Sequence, residues 1–250
     1  MKKILKIFGA AWVIIGISFF LYMFSTFKAR GFDKSILKNS PSIEVNISDE
    51  HISFVPKSIT KSTIFFFPGA LVDPFAYSPL CFELAKNGYK TIIVRMPWRM
   101  ATKGYNLIKE QNLLTDKGNY TLIGHSQGGK MAGQFVYENP KAIKNLILLG
   151  TTHPRDIDLS DLNINVLKIY GSNDGVASPE KIKENKSRLP LNAAFFEING
   201  GNHSQFGYYG HQMGDHAANI TRDEQLNIIV SEILEFLKSH VTEQNQLSAL

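Results

Sequence analysis

The chain has 250 residues, enough for one well-cored domain and too few for two generous ones. Its formal charge of +5 does not point to nucleic acid: Lys2, Lys3, Lys6, Lys28, Arg30, Lys34 and Lys38 crowd the first forty residues against Asp33 alone, and no later stretch clusters Lys and Arg among aromatics. The single cysteine, Cys81, excludes an internal disulfide and a Cys-based zinc site, and reads as a small buried residue on a helix.

From Ile7 to Phe27 there is no charged residue. At about 1.5 Å per residue such a helix spans the roughly 30 Å of a hydrocarbon core. The apolar residues occupy every face, and the segment lacks the short apolar stretch and small-x-small site of a cleavable signal. Residues 1–30 are therefore read as an uncleaved anchor, with the transmembrane helix at about 7–27. The Lys and Arg on its two flanks nearly balance. A short tail followed by a folded domain favours a single-pass cell-membrane protein with an extracytoplasmic domain.

Residues 31–59 are expected to form a linker, including the polar Asn39-Ser40-Pro41-Ser42, and then the first strands. Ile43–Ile47 and Ile52–Val55 are candidate antiparallel strands. Residues 60–250 then alternate short apolar runs with amphipathic segments. Strands are expected at Thr63–Phe67, Thr91–Arg95, Tyr120–Ile123, Asn145–Leu149, Val166–Tyr170 and Ala194–Ile198. Helices are expected at Tyr77–Asn87, Tyr105–Leu114, Gly128–Glu138, Pro179–Arg188 and Arg222–Lys238. The pattern specifies an α/β fold, a mostly parallel central sheet flanked by helices, behind an N-terminal transmembrane helix.

The strongest local signal is Leu122-Ile123-Gly124-His125-Ser126-Gln127-Gly128-Gly129, a strand, a Gly-x-Ser-x-Gly turn and a helix. Glycines two positions either side of a serine let strand and helix approach closely enough to expose its hydroxyl on a strained turn. A serine alcohol needs a base, and the base needs an acid to orient it. Asp174 follows the strand ending Ile169-Tyr170-Gly171 and is the expected acid; Asp156, Asp158 and Asp161 are rivals in a polar loop. His203 follows the last strand through Asn199-Gly200-Gly201-Asn202 and is the expected base. His51, His125 and His240 fall out by position, and His153, His211 and His216 remain weaker rivals. The oxyanion donors are expected to be the backbone amides of Gln127 and of Ala70, after Pro68-Gly69, with Leu71 as fallback.

Residues 60–240 resemble the α/β-hydrolase superfamily, and in particular its small bacterial members without a large cap, on these three motifs in family order. The stretch Gly201-Asn202-His203-Ser204-Gln205-Phe206-Gly207 through Gly214-Asp215 resembles a subgroup of uncharacterised hydrolases. Pro68-Gly69 stands where the family usually has His-Gly, which weakens assignment to lipase or esterase subgroups. Only Gly150 to Asn165 separates two strands where a cap is commonly inserted, so an open site is expected. Trp98, Tyr105 and Phe206 are the candidate substrate contacts.

These features imply hydrolysis of an ester, or a thioester or amide, through an acyl-enzyme on Ser126. The expected substrate is small and acyl-containing or lipid-like, and neither metal nor cofactor is required. Oligomeric state is not legible. The alternatives are acyl transfer to an alcohol by the same triad, and a tethered binding protein that kept the fold without turnover.

Overall fold

The computed structural model describes residues 2–115 and 120–247, with 241–247 as backbone only. Helix α1 (Lys2–Thr26) is long and apolar enough to cross a membrane, with a mean hydropathy of 2.2 over its best window. Its side chains stand free of the domain as far as Tyr22, so it projects from the domain instead of lying along it.

Eight strands form one sheet: β1 (Ile43–Ile47), β2 (His51–Pro56), β3 (Ser62–Phe67), β4 (Tyr89–Val94), β5 (Tyr120–His125), β6 (Asn145–Leu149), β7 (Asn165–Gly171) and β8 (Ala194–Ile198). The order is β1-β2-β4-β3-β5-β6-β7-β8. The pairs β1/β2 and β2/β4 are antiparallel and every other pair is parallel, as the continuous apolar runs of the inner strands require. Two apolar layers cover the sheet. One joins Phe54, Phe66, Tyr77 and Leu84 to Ile229 and Ile233; the other joins Phe65, Phe67 and Leu122 to Phe135 and Val136. The covering helices are α2 (Ser78–Lys86), α3 (Leu107–Glu110), α4 (Gln127–Glu138), α5 (Pro179–Glu184) and α6 (Arg222–Leu247). Cys81 is buried on α2 and burial raises its thiol pKa, as its bland reading requires.

The chain leaves β3 in one direction to make β4, then crosses back so that β5 pairs with the other side of β3. That reversal opens a crevice beyond the carboxyl ends of β3 and β5, the usual ligand position in an open α/β sheet.

Two expectations need correction. The helix expected over Tyr105–Leu114 is a single turn, because Asn112 takes a left-handed conformation (φ 52°) that ends it. The expected linker does not separate the anchor from the domain. Phe27, the residue after α1, is already core and packs against Tyr209 at 5.7 Å between ring centroids. Asp73 N–H donates to Phe27 O, Gly210 N–H to Thr26 O and Arg30 N–H to Tyr208 O. The polar composition of residues 28–42 concealed this docking, which is carried largely by backbone groups.

Lys168 is fully buried on β7, where Nζ donates to His153 O at 2.8 Å, and burial lowers its pKa from 10.5 to about 7. Because the folded value lies below the unfolded one, the unfolded chain binds the extra proton between these values, and stability from this group rises with pH across that window. Lys168→Met removes the charge cost. The gain in Tm over the wild type is expected to be largest near pH 6 and to shrink toward pH 10, as differential scanning calorimetry would show; a pH-independent difference would refute the assignment.

Candidate active site

Ser126 sits between β5 and α4 with φ 53° and ψ −117°, a strained backbone for a residue with a side chain. A Cβ on Gly124 would lie 2.4 Å from Gly128 O, and one on Gly128 would lie 2.0 Å from Phe67 O. Strand, turn and helix approach as closely as the Gly-x-Ser-x-Gly pattern predicts. Ser126 N–H donates to Leu149 O at 2.9 Å, pinning the turn to β6.

Asp174 and His203, from the loops after β7 and β8, meet beyond the strand ends. His203 Nδ1 lies 2.8 Å from Asp174 Oδ2, and both side chains are buried. Asp174 Oδ1 accepts from Val176 N–H (2.9 Å) and Ala177 N–H (2.6 Å), which leaves Oδ2 aimed at the imidazole. His203 Nε2 is buried with no hydrogen-bond partner among the described residues. Asp156 and Asp158 lie on the exposed loop that precedes β7, and the imidazole bonded to Asp174 Oδ2 is that of His203.

Ser126 and His203 open onto one cleft of about 270 Å³. Gln127, Thr151 and Thr152 give it a polar wall, Val176 and Ala177 an apolar one. Lys130 and Arg155 give the rim positive charge beside His153; Lys130 pairs with Asp156 at 3.4 Å and Arg155 contacts His153 Nε2 at 3.2 Å. Burial, aided by the charges of Arg155 and Lys130, lowers the pKa of His153 to about 4, so its ring is neutral at physiological pH.

The amides after β3 are sorted by their partners. Gly69 N–H donates to Tyr77 Oη at 3.0 Å and Leu71 N–H to Arg99 O at 2.7 Å, so the fallback donor is engaged elsewhere. Among the described residues no hydrogen bond uses Ala70 N–H. Gln127 opens α4, where the first amides have no intrahelical acceptor.

The three expected substrate contacts lie outside this cleft. Trp98 is exposed, its backbone left-handed at φ 56°, beside a separate hollow lined by Asp73, Arg95 and Arg99. Tyr105 is held by its hydroxyl on the Glu138 carboxylate at 3.1 Å. Phe206 is buried and stacks on His125 with centroids 5.3 Å apart.

Three further groups support the site without any signal in the motif spacing. His125 lies behind His203 with ring centroids 4.6 Å apart; burial, then the neighbouring His203, keeps its pKa well below the usual value. Its Nδ1 is 2.9 Å from Tyr77 Oη, an oxygen that also accepts from Gly69 N–H at 3.0 Å. Gln225 of α6 brackets Asn202, accepting its N–H at 3.0 Å and donating to its carbonyl at 2.9 Å. Asp215 is the principal brace. Oδ1 accepts from Gly175, His203 and His216 N–H, and Oδ2 from Ser204 N–H and Oγ, so one carboxylate ties the Asp174 loop to the His203 loop.

The sequence model of the alpha/beta hydrolase family matches residues 63–227, which contain every group just described. This chain belongs to the alpha/beta hydrolase family. The hydrolase superposes on a predicted CIB-like hydrolase from Thermoplasma acidophilum with a TM-score of 0.60 at 14% identity, covering 76% of this chain and 98% of the other. An alpha/beta hydrolase from a sediment metagenome of the Mar Chica lagoon, Morocco, gives 0.60 at 17%, covering 79% and 99%. Carboxylesterase CesB from Bacillus subtilis gives 0.54 at 11%, covering 82% and 94%. At these identities the likeness speaks for the fold of the hydrolase. No curated protein sequence matches it.

Proposed function

We propose that this protein is a membrane-anchored serine hydrolase that cleaves an ester of a small acyl-containing or lipid-like substrate. The observation that carries the reading is the buried Asp174–His203 hydrogen bond of 2.8 Å, which leaves His203 Nε2 unpaired at the cleft that Ser126 shares.

In this scheme Ser126 Oγ attacks the carbonyl carbon as its proton passes to His203 Nε2, while Asp174 orients the ring and favours the imidazolium. The amides of Gln127 and Ala70 receive the oxyanion, each contributing about 3 kcal/mol to the transition state. Collapse expels the alcohol, which takes the proton from His203. Water then attacks the acyl-enzyme through the same imidazole, releasing the acid and restoring Ser126. Helix α1, long and apolar enough to cross a bilayer, holds the enzyme in the membrane, with the catalytic domain on the outer side.

A fluorophosphonate probe tests the nucleophile directly, since Oγ displaces fluoride and keeps the phosphonyl group. Mass spectrometry of the labelled full-length protein is expected to place the adduct on Ser126. Folded protein that stays unlabelled would remove the reading.

A further inference from the structure

The join between α1 and the domain lies on one particular edge. Its partners are Asp73 in the loop after β3, and Tyr208 and Gly210 in the loop after β8. Both loops follow the carboxyl ends of parallel strands, the edge that also carries Ser126, Asp174 and His203. The next loop on that edge, after β4, touches the helix: Arg99 stacks on Phe24 in its last turn, 4.9 Å from guanidinium carbon to ring centroid. Trp98, beside it, is 87% exposed on a left-handed backbone. Two more exposed apolar side chains, Val176 at the cleft and Met213, stand on loops of the same edge.

We infer that the catalytic edge faces the bilayer, with Trp98 seated at its interface, and that the substrate is an ester resident in that bilayer. The inference rests on the hydrolase reading above and narrows its substrate class. Because α1 projects free of the domain and has no slack after Thr26, the bilayer surface meets the edge from which the helix leaves. Trp98 neighbours the residue that packs on the helix's last turn, the depth at which tryptophan concentrates in membrane proteins. The ester of a membrane lipid then lies on the same side as Ser126 and reaches the cleft without crossing bulk water.

The chain has two tryptophans, Trp12 within α1 and Trp98, which makes the arrangement measurable by fluorescence. Full-length protein is reconstituted into phosphatidylcholine vesicles with and without brominated acyl chains. With Trp12→Phe, Trp98 alone reports, and a blue-shifted emission quenched about twofold by brominated lipid is expected. With Trp98→Phe, Trp12 is expected to be quenched more strongly; an unquenched Trp12 overturns the anchor itself. Leu191→Trp, with both native tryptophans replaced by Phe, reports from the loop before β8 at the opposite edge and is expected to be unquenched. Quenching at position 191 without quenching at 98 overturns the orientation. Quenching of Trp98 that disappears on dilution, together with a cross-linked dimer, assigns the loop to a second copy and overturns the proposal.

Activity supplies an independent arm. Trp98→Lys is expected to lower the rate on a fluorogenic ester embedded in the vesicle about fivefold more than the rate on a short soluble ester. Equal losses on the two esters overturn the bilayer-facing site while leaving the hydrolase reading standing. A wild type that turns over neither ester, yet shows quenched Trp98, overturns the hydrolase reading and with it the ester substrate, while the bilayer-facing edge stands.

Discussion

Ser126→Ala and His203→Ala are each expected to lower kcat on an activated ester by about 10⁴- to 10⁶-fold, and the double variant to lower it little further. In the proposed mechanism nucleophile and base act as one unit, so removing either leaves the other without a task. Losing Ser126 would remove the atom that forms the acyl bond. Losing His203 leaves a hydroxyl that must shed its proton to water and strips Asp174 Oδ2 of the partner it holds at 2.8 Å. A remnant rate above that in buffer is expected from the amides of Gln127 and Ala70. Asp174→Asn should fall short of both, because the ring keeps its place while the imidazolium loses its counter-charge. Stopped-flow and steady-state assays on the same ester read all four variants; additive losses in the double variant would refute the shared mechanism.

The second large effect is expected at a residue that touches no substrate. Asp215→Ala removes the acceptor of five hydrogen bonds in a buried position and should destabilise the domain by about 3–5 kcal/mol, measured by urea unfolding. Four of the donors are backbone amides, so the cost is of orphaned N–H groups that no side-chain rotation can relieve. Asp215→Asn keeps one acceptor oxygen and should recover part of that stability. At temperatures where both remain folded, the rate of fluorophosphonate labelling should follow the same order, since the carboxylate holds His203 N–H and Gly175 N–H together. Unchanged stability in Asp215→Ala would show that water replaces the carboxylate and that the brace is dispensable.

The sheet was legible because its signal is local: each inner strand is a continuous apolar run, and the observed strands contain or closely match the expected segments. The positions of Ser126, Asp174 and His203 were legible for a related reason. Each follows a strand and precedes a glycine or a helix, and the parallel sheet brings successive strand ends to one edge. What escaped was long-range polar pairing. Asp215 is tied to Gly175 at a sequence separation of 40, and Tyr77 to His125 at 48; neither pairing has a period or a composition that a sequence displays. His125 falls out by position as a base, yet its ring packs directly behind His203. The aromatic residues expected at the cleft show the converse. Trp98 and Tyr105 are expected there from their loop after a strand and Phe206 from its place beside His203, whereas Trp98 stands exposed, Tyr105 bonds Glu138 and Phe206 stacks on His125.

The absence of slack after Thr26 has a consequence for reach. A domain on a flexible tether sweeps a hemisphere whose radius grows with the square root of tether length. Here Phe27 is core and the carbonyls of Thr26 and Phe27 are bound by Gly210 and Asp73, so the tether has no free residue. As a membrane anchor, such a join would confine the enzyme to a thin layer at the lipid surface, where it searches in two dimensions. It could not swing outward to act on a target standing away from the membrane.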